Sequence, residues 1–165
     1  MKMLVLSDSH GRTDHLRAVL AMHADAAGLL FLGDGIRDLP ADPGMRVWAV
    51  RGNCDVFTMF DTDPVPDERV ESIGGCRIAA LHGHTRAAKA GYGRLMALGV
   101  EQDADIVCFG HTHEPHEQCI PAGEIFFGKP LARPLCLFNP GALNAGRFGL
   151  ITIQQGQFLL SHGRL

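Results

Sequence analysis

The stretch MLVLSDSH, residues 3–10, is an apolar run that leads directly into two side chains able to bind a transition metal, Asp8 and His10. The same design recurs in LLFLGD ending at Asp34, VWAVRGN at Asn53, RIAALH at His82, and DIVCFGHTH at His111 and His113. Strands buried on both faces of a sheet read as continuous apolar runs, and ligands bind beyond their carboxyl ends. We therefore expect these seven side chains to converge on one metal site.

Length and composition predict a single domain over residues 1–165, with 46% apolar residues to form its core. A net charge of −3 and a pI of about 6.3 argue against a general nucleic-acid binder or a membrane-surface protein. No apolar stretch approaches the roughly 18 residues of a membrane span, and Asp8 comes too early for a cleavable signal. We expect a cytoplasmic protein.

Hydrophobic periodicity predicts an α/β fold in which strands and helices alternate. The predicted strands include residues 2–7, 29–32, 46–51 and 105–109, and the predicted helices cover 14–26 and 92–102. Two glycine turns, Gly74-Gly75 and Gln155-Gly156, each lie between apolar runs and indicate β-hairpins. Hairpins pair antiparallel strands, so the sheets are expected to be mixed.

The five cysteines are odd in number and include no C-x-x-C pair, which is typical of unpaired thiols in a cytosolic protein. Four of them are expected to be buried small hydrophobic residues: Cys76, Cys108, Cys119 and Cys136. Cys54 is different because it directly follows the candidate ligand Asn53.

The pairs Asp8/His10 and His111/His113 each have a spacing of two residues. On an extended backbone, side chains at i and i+2 point the same way, so each pair could hold an ion. Glycines before Asp34 and before Asn53 would let the backbone turn sharply or approach closely.

Each ligand also has a purely structural interpretation. Asp8 or Asp34 could be a helix cap or a turn former, and Asn53 could be a turn residue. His82 could be a hydrogen-bonded core histidine, in which case His84 would replace it as ligand. The joint occurrence of all these residues in this order favours the metal site.

The motif series D-x-H, G-D, G-N-x-D, H-G-H and G-H-T-H resembles that of the calcineurin-like metallophosphoesterases. These motifs stand at residues 8–10, 33–34, 52–55, 82–84 and 110–113. The short prokaryotic phosphodiesterase branch is particularly similar, because there a cysteine also follows the asparagine and an Asn-Pro-Gly turn, here beginning at Asn139, follows the last motif. The resemblance implies a four-layer αββα sandwich of two mixed β-sheets flanked by helices.

The resemblance also implies two metal ions. Asp8, His10, Asp34 and His113 would hold one, and Asp34, Asn53, His82 and His111 the other, so that Asp34 bridges. A bridged pair activates water and clamps the attacking and leaving oxygens, so the implied reaction is in-line attack of a metal-bridging hydroxide on a small phosphodiester. Mixed nitrogen and oxygen ligands suit Mn²⁺, Fe²⁺, Co²⁺, Ni²⁺ or Zn²⁺, and Mn²⁺ is favoured because relatives often use it.

Several neighbouring residues are candidates for supporting roles. Cys54 replaces a histidine that protonates or orients the leaving group in larger members, so we hypothesise a preference for good leaving groups or protonation by His84 or solvent. A small residue that fits a tight turn is the alternative interpretation of Cys54. Asp55 is expected to fix the orientation of the ligand residues through hydrogen bonds, without binding a metal ion itself. Arg12 could contact an anionic substrate, with surface solvation as the alternative.

Four other interpretations compete with phosphodiesterase activity. A Rossmann site needs G-x-G-x-x-G, and a metallo-β-lactamase site needs H-x-H-x-D-H; neither motif is present. The remaining alternatives are a phosphomonoesterase and a non-catalytic scaffold of the same fold. A chain of this length has little material for a cap, so an open site is expected. Residues 114–135, with Phe126-Phe127, would shape one wall of it, form a contact in a homo-oligomer, or pack in the core.

Overall fold

The computed structural model describes residues 1–56, 64–126 and 128–165, which form two five-stranded sheets and two α-helices. The first sheet contains β1 (Lys2–Leu6), β2 (Gly28–Phe31), β3 (Arg46–Ala49), β11 (Arg147–Gln154) and β12 (Gln157–Arg164), in the order β12-β11-β1-β2-β3. The second contains β4 (Glu68–Ile73), β5 (Cys76–Leu81), β6 (Ile106–Cys108), β7 (His116–Ile120) and β10 (Leu135–Asn139), in the order β4-β5-β6-β10-β7. Helix α1 (Thr13–Met22) follows β1, helix α2 (Gly93–Glu101) follows β5, and β8 (Ile125–Phe126) pairs with β9 (Lys129–Pro130).

Three apolar clusters separate the four layers of the molecule. The two sheets enclose the central cluster, which includes Val5 and Phe138. Helix α1 buries Leu16 and Val19 against the outer face of the first sheet, because these residues recur at helical spacing. Helix α2 buries Leu95 against the second sheet in the same way. This arrangement confirms the αββα sandwich with mixed sheets. No helix in the described ranges is long and apolar enough to cross a bilayer.

Each sheet contributes three neighbouring parallel strands, and their carboxyl ends meet at the candidate site. Strands β1, β2 and β3 are mutually parallel in the first sheet, as are β5, β6 and β10 in the second. Five of these strands lead into the predicted ligands. The sixth, β10, ends at Asn139. Because parallel strands bind ligands beyond their carboxyl ends, this topology brings residues from six separate chain segments together.

Both predicted hairpins are confirmed, but helix α1 is shorter than expected. The pair β4-β5 turns at Gly74-Gly75, and β11-β12 turns at Gln155-Gly156. Helix α1 ends at Met22 instead of residue 26, because the chain must reverse there to align with β1; the Ala27 N–H already donates to the Lys2 carbonyl. Within the stretch 114–135, Phe126 lies in β8 and packs against the α2 cluster, whereas Phe127 lies outside the described residues.

The prediction that all four remaining cysteines are buried and unpaired is wrong for two of them. Cys119 and Cys136 stand directly opposite each other in the antiparallel pair β7-β10 and form a disulfide. Cys119 is exposed, on the edge strand. Cys76 and Cys108 are buried and free, as expected. The pairing depends on strand register across a separation of 17 residues, which spacing alone does not reveal.

Candidate metal centre

Two buried carboxylates, Asp8 and Asp34, lie at the centre of the site. In each of them, one oxygen accepts hydrogen bonds from neighbouring protein groups. Asp8 Oδ2 accepts hydrogen bonds from Ser7 Oγ at 2.6 Å and from the His111 N–H at 3.1 Å. Asp34 Oδ1 accepts one from the Cys54 N–H at 2.7 Å. The other oxygens, Asp8 Oδ1 and Asp34 Oδ2, face imidazole nitrogens. Among the described residues, Asp8 Oδ1 is buried without a hydrogen-bond partner.

The imidazoles approach these two oxygens at distances suited to shared cations. Asp8 Oδ1 lies 3.1 Å from His113 Nε2 and 3.7 Å from His10 Nε2, and the two nitrogens are 3.4 Å apart. Asp34 Oδ2 lies 3.9 Å from His10 Nε2 and 3.4 Å from His82 Nε2. Donor atoms that bind one ion at about 2.1 Å are separated by roughly 3.0–3.4 Å. A buried carboxylate oxygen without a donor, surrounded by imidazole nitrogens, is the environment that a divalent cation fits.

His82 is held in the orientation of a metal ligand. Its Nδ1 lies 2.7 Å from the Leu32 carbonyl, which can only accept, so Nδ1 carries the proton. Nε2 then points into the site, 3.4 Å from Asp34 Oδ2 and 3.2 Å from the Asn53 Oδ1. Burial lowers the pKa of His82, but the hydrogen bond with Asp34 and the charge of Asp8 raise it above its ordinary value. Burial raises the pKa of Asp34, yet hydrogen bonds from His82 and Cys54 bring it well below its usual range.

Two further histidines line the same crevice. The ring of His111 packs against that of His82 with centroids 5.0 Å apart, and the ring of His84 lies 5.4 Å from His82. Burial, followed by the charge of His82, lowers the pKa of His111 to about 4 and also lowers that of His84. Both rings are therefore neutral near pH 7, the form in which imidazole binds metals. His84 Nδ1 is buried without a partner in the described part of the chain.

Five of the predicted ligands have left-handed backbone conformations, which the sequence did not indicate. Their φ angles are 57° at Asp8, 45° at His10, 56° at Asp34, 66° at His111 and 65° at His113. Ligands two residues apart thus converge through left-handed turns, so the expectation of an extended backbone was wrong. This conformation costs an L-residue about 1–2 kcal/mol, and such strain concentrates at functional sites.

Replacing His113 should separate this backbone strain from metal binding. Both His113→Gly and His113→Ala remove the ligand, but only glycine adopts a positive φ without strain. We expect the metal-free glycine variant to be about 1 kcal/mol more stable than the alanine variant, or roughly 2–4 °C higher in Tm. At His116, in strand β7, the same pair of substitutions should give the opposite order. Equal stabilities of His113→Gly and His113→Ala would show that the positive φ at this position carries no energetic cost.

Asp55 organises the ligand loops from behind the site. Its carboxylate accepts four backbone hydrogen bonds, from the N–H groups of Asp34 at 2.7 Å, Gly35 at 2.9 Å, Ile36 at 3.0 Å and Gly52 at 2.9 Å. The loops that carry Asp34 and Asn53 are also in close contact. A Cβ added to Gly52 would lie 2.1 Å from Asp34 Oδ1. Asp55 therefore holds the loops that carry the candidate ligands Asp34 and Asn53, and both of its oxygens already accept hydrogen bonds.

The loop after β6, which carries His111 and His113, is held by hydrogen bonds that the sequence only partly indicated. Fully buried Asn139 donates through Nδ2 to the Gly110 carbonyl and to Thr112 Oγ1, both at 3.0 Å. Its Oδ1 accepts the Gly141 N–H at 2.9 Å, so Asn139 supports the site through a turn. Ser7, the buried donor to Asp8, was not anticipated. Its only signal in the sequence is a polar residue within an apolar run.

The structure directs Arg12 toward Asp14, with two hydrogen bonds of 2.9 Å, and leaves it exposed. The thiol of Cys54 is also exposed, with Asn53 Nδ2 at 3.2 Å from Sγ. A hydrogen bond to Asp34, then burial, raises the pKa of Cys54 in the metal-free protein. Bound cations next to the thiol would oppose that effect.

Known proteins with similar sequences and folds include several described as phosphoesterases. YsnB of Bacillus subtilis, described as a probable metallophosphoesterase, is 28% identical over 156 residues, covering 93% of this chain and 85% of YsnB. A predicted phosphoesterase from Streptococcus pneumoniae has a similar fold, with a TM-score of 0.75 and 20% identity, covering 99% of this chain and 88% of that one. Zinc-bound Vps29 from Entamoeba histolytica is similar with a TM-score of 0.70 and 19% identity, covering 100% of this chain and 98% of that one. An archaeal phosphodiesterase also has a similar fold, with a TM-score of 0.65 and 17% identity, covering 98% of this chain and 99% of that one.

At these identities the solved structures establish the fold alone, and the family follows from the sequence. The family model for the calcineurin-like phosphoesterase superfamily domain matches residues 1–161, which include every strand end that contributes to the site. Its match therefore covers both sheets and all seven candidate ligands. This chain belongs to the calcineurin-like phosphoesterase superfamily.

Proposed function

We propose that this protein is a metal-dependent phosphodiesterase that hydrolyses small phosphodiesters. The observation that carries the proposal is the pair of carboxylate oxygens, Asp8 Oδ1 and Asp34 Oδ2, that face imidazole nitrogens 3.1–3.9 Å away. Two adjacent ions held in this way would suit a reaction in which charge develops on both the attacking and leaving oxygens. Hydrolysis of phosphate esters is such a reaction, and the family supplies the same general chemistry.

The proposed centre holds two divalent transition-metal ions, with Mn²⁺ favoured over Fe²⁺, Co²⁺, Ni²⁺ or Zn²⁺. The first ion would bind Asp8, His10, Asp34 and His113, and the second Asp34, Asn53, His82 and His111. When bound, such a pair lowers the pKa of water and offsets negative charge on phosphoryl oxygens. The chain's own contribution is to hold Asp34 Oδ2 toward both groups of ligands, while Cys54 N–H fixes the other oxygen.

Charge favours a diester over a monoester. Two divalent ions with the carboxylates of Asp8 and Asp34 leave a net charge of about +2, which a hydroxide and a singly charged diester would bring close to zero. The archaeal phosphodiesterase of similar fold supports the same choice. A phosphomonoesterase of this fold is the first alternative. A non-catalytic scaffold is the second, and the complete set of seven donors opposes it.

His84 and Cys54 are proposed to serve the reacting phosphoryl group. His84 lies beside the rings of His82 and His111, and the thiol of Cys54 is exposed next to Asn53. Either could orient a phosphoryl oxygen or the leaving group. For His84→Ala and Cys54→Ala, a decrease in kcat without a change in bound metal would support these roles. Unchanged kcat on diesters with both good and poor leaving groups would exclude them.

The function is tested by hydrolysis of bis-p-nitrophenyl phosphate after removal of metals with a chelator. We expect no activity in the metal-free protein, recovery on addition of Mn²⁺, and a kcat/KM for the diester about tenfold or more above that for p-nitrophenyl phosphate. A higher value for the monoester would favour the phosphomonoesterase. Bound metal without hydrolysis of either ester, under any of the five metals, would favour the scaffold.

A further inference from the structure

A cavity of about 330 Å³ lies beside the candidate metal centre and includes three of its residues. His10, Asp34 and Cys54 form part of its lining, and their donor atoms lie within 4.8 Å of one another. The rest of the lining comes from the loop after β1, from the turn after β2 and from the chain after Cys54. These residues are Gly11, Gly35, Arg37, Asp38, Asp55 and Val56. A ligand bound at the metal centre could therefore extend into this cavity.

Arg37 supplies the positive side chain of this lining, and it is held in place by a single backbone contact. Its Nη2 donates to the Val56 carbonyl at 2.9 Å, and within the described ranges this is its hydrogen-bond partner. Other arginines of the chain are occupied differently. Arg12 and Arg86, for example, each make paired hydrogen bonds to a carboxylate. Arg37 is exposed and keeps most of its five N–H donors for a ligand.

Besides the candidate ligand Asp34, this lining has two acidic side chains, Asp38 and Asp55, and among the described residues each accepts hydrogen bonds from groups other than Arg37. Both oxygens of Asp55 accept backbone N–H groups of the ligand loops. Asp38 Oδ2 accepts Ser9 Oγ at 2.5 Å and the Gly11 N–H at 2.8 Å. The cavity thus has metal ligands in one part of its lining and, in another, a guanidinium held by a carbonyl. A guanidinium binds phosphate strongly because its planar fork matches two phosphate oxygens.

We propose that Arg37 binds a second anionic group of the substrate, so that this enzyme selects phosphodiesters that carry an additional phosphate. The proposal rests on the phosphodiesterase function proposed above, which assigns the scissile phosphate to the metal centre. Arg37 then acts on the portion of the substrate that enters the cavity. Arg12, for which contact with an anionic substrate is expected from the sequence, is bound to Asp14 and does not line this cavity.

The test compares binding of thymidine 5′-monophosphate and thymidine 3′,5′-bisphosphate by calorimetry, in Mn²⁺, to wild type, Arg37→Ala and Arg37→Lys. We expect wild type to prefer the bisphosphate, and Arg37→Ala to bind it about tenfold or more weakly while losing less than about threefold for the monophosphate. Arg37→Lys should retain part of the preference. Arg94→Ala, which removes an exposed arginine outside the cavity lining, should leave both affinities unchanged.

Three outcomes would overturn the proposal: no preference of wild type for the bisphosphate, equal losses for both ligands in Arg37→Ala, or no loss. Activity is judged separately with the 5′-p-nitrophenyl phosphodiester of thymidine, with and without a 3′-phosphate. If wild type hydrolyses neither ester, the phosphodiesterase function fails, and the binding comparison still decides the role of Arg37. If it hydrolyses both, the 3′-phosphate should raise kcat/KM in wild type and not in Arg37→Ala.

Discussion

Asp34→Asn should reduce kcat/KM for phosphodiesters by roughly a thousandfold or more, equivalent to about 4 kcal/mol of transition-state stabilisation. Asp34 Oδ2 faces both His10 and His82, whereas Oδ1 accepts the Cys54 N–H. An asparagine of the same shape can keep the bond to Cys54, but its amide nitrogen cannot bridge two cations. The substitution would therefore remove the proposed bridge and leave the loop in place.

The stability of the metal-free variant separates this effect from misfolding. Asp34 is buried, and its replacement by a neutral isostere removes a charge that lies close to Asp8. We expect the Tm of the metal-free variant to stay within about 4 °C of wild type, while bound Mn²⁺ decreases. Asp25→Asn makes the same charge change at an exposed site and should affect neither quantity. An Asp34→Asn enzyme with activity within tenfold of wild type would refute the bridge.

Asp55 should matter most for stability and, through it, for metal affinity. Both Asp55→Ala and Asp55→Asn are expected to destabilise the protein by about 3 kcal/mol, or roughly 6–12 °C in Tm. Four backbone N–H groups converge on this carboxylate, and only an acceptor with two oxygens satisfies them. Asparagine presents an NH₂ group to two of these donors, so it should be nearly as damaging as alanine.

Asp103→Ala provides the control for Asp55, because the Asp103 carboxylate also accepts several hydrogen bonds, in this case from the Arg133 side chain, but is exposed. Exposed ion pairs contribute little, so we expect a change below about 1 kcal/mol. Thermal unfolding of the metal-free proteins gives the stabilities, and Mn²⁺ titration gives the affinities. A stability of Asp55→Asn equal to wild type would show that the converging hydrogen bonds do not hold the loops. Lower stability with unchanged Mn²⁺ affinity would show that they do not position the ligands.

The strands, hairpins and mixed sheets of this fold were predictable from the sequence because apolar runs and glycine turns report burial and reversal directly. The four-layer arrangement was implied by the family resemblance. Five of the six parallel strand ends were predictable too; the turn that begins at Asn139 was recognised, although not as the end of a sixth such strand. The geometry around the ligands was not. At His111 and His113 the spacing of two suggested an extended backbone, whereas both residues have positive φ. Backbone conformation at a loop depends on the contacts around it, which a periodicity does not encode.

Features that depend on strand register, or on contact with a loop distant in sequence, could not be predicted from the sequence either. The disulfide between Cys119 and Cys136 requires that two antiparallel strands pair at one particular offset. Arg37 reaches the cavity because the turn after β2 folds over toward Val56. Arg12, next to a motif in sequence, instead pairs with its near neighbour Asp14. Proximity to a ligand in sequence therefore did not indicate which arginine lines the cavity.

The central claim, a dinuclear centre at the strand ends, is tested most directly by anomalous diffraction from crystals soaked in Mn²⁺. The account predicts two anomalous peaks at the strand ends, one contacted by Asp8, His10 and His113 and the other by Asn53, His82 and His111. Both peaks should contact Asp34, about 3.5–4 Å apart as in other two-metal sites. A single peak, or peaks that do not share Asp34, would contradict the dinuclear centre.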